Sequence, residues 1–461
     1  MLSNLFEYLQ AVFFVISIFI IGDTLIHLFF SKFFNRNHFF IRLAFDFALG
    51  NFFLILVLTI LYYFGLGNLA NFNLYLILIT PSLIIFILKI KINKNLIRFH
   101  KELLTILALL LFFSSLIKES LFSFLYAWDT VAIWFLKAKA LFLTNSFEDA
   151  LLFNAKLEYL YSHKAYPLGL PLIVAFFYRI IGSINDQAIK FYYLSFYLVI
   201  FLFFLGLFFQ KKTKFFYLKV LSLFSYFLSP VFIMYSNNGY SDLPLGFVFL
   251  LLFYLYCDFL ENKKDNLLKF SSIFACIMAG LALTIKYEAL PFVIFAFVFF
   301  TISSLLKKQF KFNYSLVFYF ILSITPFSLW YLYVRKNGLN LYAEESVFNF
   351  IEIITRGKTV TNLIITELLD TSRFGLFFWI ILGFLVFSTA TLLVNKEFKK
   401  VSVIILPILQ FSFYIAFYLI TPFNFTNQFF ASFERLFLQL MPLIFLIFIK
   451  HLEYFEDKNL I

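Results

Sequence analysis

Charge is what this chain has least of. Only 13% of its 461 residues are Asp, Glu, Lys or Arg, where a soluble domain carries about a quarter. That shortage excludes an ordinary water-soluble globule. The net charge of +12 sits in short loops between apolar runs, where it sets membrane orientation and is no mark of nucleic-acid binding. Cysteine is nearly missing, and Cys257 and Cys276 both fall within hydrophobic runs, which leaves no support for a disulfide framework or a CxxC metal site. His163 has no partner at HxxxH or HExxH spacing, so a zinc site of that kind is not expected. Period-two alternation is missing, which excludes a membrane β-barrel. No basic leader with a small-residue cleavage site opens the chain, so its first span is expected to remain in the mature protein.

What is present is grease. Hydrophobic residues make up 63% of the chain, in runs of about 20 residues that suffice to cross a bilayer core of about 30 Å. The fold class is all-α, a polytopic integral membrane protein with external juxtamembrane helices. Phenylalanine reaches 76 residues alongside abundant Ile, Lys, Asn and Tyr, a bias of composition that fills helix cores generically. Spans are expected at 9–31, 41–65, 71–90, 103–122, 187–209, 215–234, 240–260, 268–286, 289–306, 314–334, 373–394, 401–421 and 436–452, about 13 in all. The stretch from Pro167 to Gly182, about 16 residues, is short for a span and is expected to be re-entrant or surface-lying.

The loops alternate in charge. Lys32/Arg36/Arg42, Lys89 to Lys101, Lys211/Lys212/Lys214, Lys263/Lys264/Lys269, Lys307/Lys308/Lys311 and Lys396/Lys399/Lys400 are basic, while "GLGNLAN" (65–71) and "YSNNGYSD" (235–242) hold no Lys or Arg. The positive-inside rule puts the first set in the cytoplasm and the N-terminus outside. The chain divides into three spans at 1–100, a core at 101–334 with a large external loop at 123–166, an external loop at 335–372 and three spans at 373–461.

Polar residues then gather on the external side. "YAWDTVAIWFLKAKALF" (126–142) brings Trp128, Asp129, Trp134, Lys137 and Lys139. Glu148, Asp149, Glu158, His163, Lys164 and Tyr166 follow, then "GYSDLP" with Asp242, "TIKYEALP" with Lys286 and Glu288, and "ASFERLFLQLMP" with Glu434 and Arg435. Acids and bases at the ends of many spans on one face suit a site above the membrane plane, because burial is costly without partners or a task. Each residue also has a plainer account. Asp129 and Asp242 suit helix N-caps, Trp128 and Trp134 suit an interfacial belt, the lysines suit solvated loops, Lys286 and Glu288 suit a local ion pair, and Arg435 suits snorkelling to headgroups. A second polar group, Asp23/His27 and Arg42/Asp46, places each pair on one helix face and reads as a proton path or an interhelical clamp. In 335–372, "VFNFIEIITRG" and "TVTNLIITELLD" have helical spacing and read as a lid, an acceptor platform or surface helices.

A loop opened by "WD", then "HKAYPLGLP", "SDLP" and "SFERLFLQLMP", resembles the polytopic GT-C glycosyltransferases, in the bacterial branch related to protein mannosyltransferases and lipid A aminoarabinose transferases. The likeness covers about residues 103–300, and one motif at 420–445. It implies transfer of a sugar, with inversion, from a polyprenyl-phosphate carrier to a glycan, lipid or protein acceptor at the external face of a bacterial inner membrane. Asp129 then matches the first-loop aspartate as general base, and Asp242 the acid at the head of a later span. Thr130 follows Asp129 where many members carry a second acid, which argues against a divalent metal there. The metal requirement, the sugar and the acceptor stay open.

The residue types suit that chemistry on their own terms. An attacking hydroxyl needs a carboxylate, and a departing phosphate needs cations, for which Lys137, Lys139, His163, Lys164, Lys286 and Arg435 are candidates. "AWDTVAIWFLKAKALF" is expected to lie on the membrane as an amphipathic helix with its aromatics in the interface. An envelope glycan polymerase or ligase is one alternative. A secondary transporter is another, although it should show internal repeats and midplane charges, whereas no convincing repeat is found and the polar residues after position 120 lie at span ends.

Overall fold

The computed structural model describes residues 2–34, 38–92, 113–123, 127–153, 163–210, 215–261, 265–306, 314–339, 350–421 and 424–458. The chain opens with α1 (Leu2–Phe34), α2 (Phe39–Tyr63) and α3 (Phe72–Ile92). Helices are the expected answer to such runs, because lipid offers no partner to a bare backbone amide. Glycines bring α1 and α2 into backbone contact. A Cβ at Gly22 would lie 1.7 Å from the Asp46 carbonyl oxygen, and one at Gly50 would lie 2.1 Å from that of Ile18. Small residues facing each other in this way let membrane helices pack by close van der Waals approach.

The middle of the chain holds α4 (Ser114–Phe122), a π-helical turn (Thr130–Phe135) running into α5 (Leu136–Leu143), α6 (Gly169–Ile181), α7 (Lys190–Gln210), α8 (Phe216–Phe227), α9 (Pro230–Ser236), α10 (Asp242–Glu261), α11 (Asp265–Ile285), α12 (Ala289–Leu306) and α13 (Tyr314–Lys336). The remainder holds α14 (Phe350–Leu369), α15 (Thr371–Phe374), α16 (Leu376–Val394), α17 (Phe398–Ile420), α18 (Phe425–Leu438) and α19 (Met441–Asp457). Among the described residues no strand occurs, and nine helices are long and apolar enough to span a bilayer, or ten if α8 and α9 form one bent span. The bend of 63° falls where Ser229 precedes Pro230 in extended conformation (ψ 144°), as proline's ring requires of the residue before it. Two further apolar helices, Phe270–Ile285 and Ala289–Leu305, are shorter, and residues 103–112 of another expected span lie outside the described set.

Contacts sort the loops onto two ends. At one end the Gly67 amide donates to Asn145 O at 2.7 Å, Tyr333 Oη to Phe147 O at 2.9 Å and Arg356 Nη1 to Thr421 O at 2.6 Å. At the other, Lys219 pairs with Glu456 (2.8 Å), Lys450 with Glu261 (2.9 Å) and Lys89 with Asp23 (2.6 Å). The helix ends that flank the basic loops lie at this second end. Both termini of α6 lie at the first. Gly169 packs on Thr284, two residues before Lys286, while Arg179 reaches Gly67 O, Leu141 O and Thr144 O. Helix α6 is a short, largely buried helix at this end, packed against α1, α2, α5 and α11.

The excess phenylalanine is spent on interlocking rings. Phe204 and Phe445 meet edge-on at 4.8 Å, Phe201 and Phe227 at 5.7 Å, and Phe227 stacks on Phe232 at 4.6 Å. Such pairs each add about 0.5–1.5 kcal/mol beyond burial.

Candidate functional site

Asp129 stands just before the π turn. Its side chain caps no amide; its Oδ2 instead accepts a hydrogen bond from Nη1 of Arg435, 306 positions away on α18. The two side chains are only 25% and 13% exposed, so this is a sheltered pair and not a headgroup contact. The Arg435 guanidinium lies over the Tyr240 ring, 4.8 Å from its centre, and its Nε donates to Ala431 O at 3.1 Å.

The "WDT" and "NNGYSD" stretches are fitted together next to this pair. Thr130 Oγ1 donates to Asn238 O at 2.7 Å. Gly239, with φ +79°, faces the same threonine, and a Cβ there would fall 2.4 Å from Thr130 Cγ2. Both the left-handed backbone and the contact demand glycine.

Asp242 follows, at the head of α10 and fully buried. Its Oδ1 accepts from Lys286 Nζ at 3.0 Å and from Gln439 Nε2 at 2.7 Å. Gln439 lies four residues after Arg435, on the same helix face, so one turn of helix serves both acids. Lys286 also stands 3.4 Å from Glu288 Oε1. Burial works against the lysine's charge, but Asp242 and Glu288 outweigh it and hold its pKa above the ordinary value.

Glu434 faces a third cation. It accepts from Tyr235 Oη at 3.3 Å and from Arg373, and Arg373 also bonds Glu367 at 2.6 Å and Asp370 at 3.1 Å. Arg373, Tyr235, Tyr240 and Gln439 were not expected from the sequence. Only Gln439 carried a signal, its i+4 spacing from Arg435. Of the two helical stretches expected in 335–372, residues 347–349 lie outside the described set and 350–369 form the single helix α14, whose Glu367 bonds Arg373 of α15 and through it meets Glu434.

The 163–166 loop closes the other side. His163 adopts φ +42°, a strained conformation for a non-glycine residue that persists only where its surroundings impose it. Those surroundings are Lys137 Nζ donating to His163 O (2.7 Å), and Tyr287 Oη and Trp330 Nε1 donating to Ala165 O (2.8 and 2.9 Å). The His163 ring stacks on Tyr166 at 5.0 Å. Desolvation on its loop-facing side and the nearby Lys137 push its pKa down, against the pull of Asp129 and Glu288, while the residue stays exposed on its other side.

The expectation of a lipid-lying helix at 127–142 needs revision. Trp134 is buried and stacks on Tyr166 at 5.8 Å, and Lys137 is buried beneath the same two rings. Val131, Leu136 and Leu143 face outward instead. Burial without a carboxylate partner lowers the Lys137 pKa well below the lysine range. Lys139 turns aside to Asp186 at 2.6 Å. Neither lysine joins the Arg435–Lys286 cations. Trp128 is exposed and Lys164 half-buried at the rim; Glu148 pairs with Lys336 in solvent (3.3 Å), and Asp149 is exposed on a turn. Glu158 lies outside the described residues.

At the opposite end Asp23 receives both Arg42 and Lys89, clamping α1, α2 and α3, while His27 is exposed. Among the described residues no group of three or more His, Cys, Asp or Glu could hold a metal ion. No family model, curated protein or solved structure matches the chain.

Proposed function

We propose that this protein is a membrane glycosyltransferase that moves a sugar from a polyprenyl-phosphate carrier to an acceptor hydroxyl at the external face of a bacterial inner membrane. One observation carries the reading: Asp129, Asp242, Lys286 and Arg435, drawn from four separate segments, meet at the end of the bundle opposite the basic loops. Their side of the membrane follows from the positive-inside rule. The likeness to GT-C enzymes at "WD", "HKAYPLGLP", "SDLP" and "SFERLFLQLMP" supplies the reaction class.

In this reading Asp129 takes the proton of the acceptor hydroxyl as its oxygen bonds to the anomeric carbon. The bond from that carbon to the phosphate oxygen breaks, and its electron pair leaves with the polyprenyl phosphate. Inversion at the anomeric carbon follows from the single displacement. Arg435 offers the departing phosphate further N–H groups, since its Asp129 and Ala431 contacts engage two of five. Lys286 adds a second cation already oriented by carboxylates, so little reorganisation is needed as charge develops.

Membranes holding the protein, supplied with lipid-linked sugars and an envelope acceptor fraction, test this. Asp129→Asn should lower transfer about 10²–10⁴-fold; full activity in that variant removes the base assignment. Mass spectrometry of envelope glycans with and without the protein should show a missing sugar. Unchanged glycans, together with counterflow of a labelled solute into proteoliposomes, would replace the enzyme with a transporter.

A further inference from the structure

The turn between α9 and α10 holds an unusual set of atoms. Asn237 Nδ2, Asn238 Nδ2, Ser241 Oγ and Asp242 Oδ2 are buried without a hydrogen-bond partner, and so is Glu288 Oε2 on the far side of Lys286. Asn237, Asn238, Ser241 and Asp242 are each at least 96% buried. A buried polar atom left unpaired is destabilising, so five around one turn and one ion pair call for an explanation by function. We propose that Asn237, Asn238, Ser241, Asp242 and Glu288 form a subsite for a neutral polyhydroxylated ring, the sugar itself as distinct from its phosphate. This deepens the transferase reading and rests on it.

The chemistry of the set selects the ligand. Two amide groups donate, two carboxylate oxygens accept, and a hydroxyl does either. A phosphate only accepts and would meet both carboxylate oxygens. A cation would leave both amides without acceptors. Ring hydroxyls both donate and accept, so a sugar offers the right kind of partner to each of the five. The subsite is joined to the reacting groups on two sides. Thr130, next to Asp129, holds Asn238 by its carbonyl, and Tyr240, inside the turn, lies beneath Arg435. The sugar would thus be read beside the place where its bond to phosphate breaks. Because the five atoms are sealed from water, binding requires the turn to open and reclose over the ring.

The test uses the full chain in lipid nanodiscs. Affinity is measured for undecaprenyl phosphate and for the same lipid bearing glucose, galactose, mannose or N-acetylglucosamine. At least one sugar-bearing lipid should bind about ten- to a hundredfold more tightly than the bare phosphate. Asn238→Ala and Ser241→Ala should erase that margin while leaving bare-lipid affinity within about twofold, which also shows that the variants are folded. The subsite is overturned if no sugar-bearing lipid exceeds the bare one, if the margin survives both substitutions, or if both lipids weaken equally. Failure of wild-type protein to bind even the bare lipid overturns the transferase reading and the subsite with it.

Discussion

The two ends of this bundle treat their charges differently. At the basic end, Asp23 is saturated: Arg42 and Lys89 bond Oδ1, and Lys89 also reaches Oδ2 at 2.9 Å. Its partners come from consecutive helices, and the result is a staple across α1, α2 and α3. At the other end the acids draw partners from all along the chain, yet Asp242 and Glu288 each keep one oxygen unpaired. Among the described residues, Asp46 Oδ1 is the one buried carboxylate oxygen at the basic end without a partner. A clamp closes its hydrogen bonds, whereas a site leaves capacity for something else. The largest expected effect follows from that contrast. Arg435→Ala should cut transfer about 10²–10³-fold, while Asp23→Asn should leave transfer nearly intact and destabilise the protein by about 2–3 kcal/mol, less than the ~3–5 kcal/mol of a fully buried pair. Equal damage to activity from both, in the same membranes, would erase the distinction between clamp and site.

Two glycines sharpen it further. Gly239 (φ +79°) and Gly182 (φ +76°) have the same backbone, but a Cβ strikes Thr130 at the first and meets nothing within 4 Å at the second. Gly182→Ala should cost about 1 kcal/mol of strain alone. Gly239→Ala should add the separation of Thr130 from Asn238, costing about 2–3 kcal/mol and most of the transfer activity. Parallel melting and transfer assays decide it: equal effects at the two positions would mean that the contact to Thr130 does nothing.

Much of the architecture was legible because hydropathy and loop charge are both written locally. The shortness of the helix at 169–181 could be read from the length of its apolar run, and the two-ended sorting of the helix ends from the lysines that flank them. The meeting of Asp129 with Arg435 was visible only as residence on one face, since no local pattern encodes a pairing across 306 positions. The orientation of the 127–142 segment differs from the expected one for a definite reason. Thr130–Phe135 winds as a π turn, which shifts the helix phase and swings Trp134 and Lys137 inward. Arg373 was invisible because its partner Glu434 is 61 residues away and its own neighbourhood resembles any helix end. The orphan atoms of the 237–242 turn were beyond reach as well, because the sequence shows a polar turn and not which of its atoms lack partners.

Lys137 and Lys286, both buried, should respond oppositely to pH. Lys137 has its pKa lowered by burial, so below that folded-state pKa the folded protein carries an unwelcome cation. Stability should rise as pH climbs from there towards the ordinary lysine value of 10.5. Lys286 has its pKa raised by Asp242 and Glu288. Its contribution is complete below 10.5 and is lost only as pH passes through the higher folded value. Lys137→Met should therefore flatten the rise of melting temperature with alkaline pH. Lys286→Met should lower stability about equally at every pH from above the carboxylate range up to 10.5. A melting profile in which both variants keep the wild-type slope would contradict the assigned environments.

The smallest effect concerns Lys139, which the sequence placed among the phosphate-binding candidates. Its Nζ bonds Asp186 Oδ2, and Tyr178 Oη donates to Asp186 Oδ1 at 2.6 Å, so the lysine ties α5 to the turn after α6. Both members of the pair are about 30% exposed, and water screens such a contact to about 0.5–1 kcal/mol. Lys139→Ala should lower the melting temperature slightly and leave transfer within about twofold, against the far larger loss at Arg435. The two lysines are two residues apart on one short helix and so point to different sides, which is why one is sealed beneath Trp134 and the other meets solvent. Loss of transfer on the scale of Arg435→Ala, with unchanged melting, would show that Lys139 leaves Asp186 for the phosphate during turnover and that the site extends further along α5.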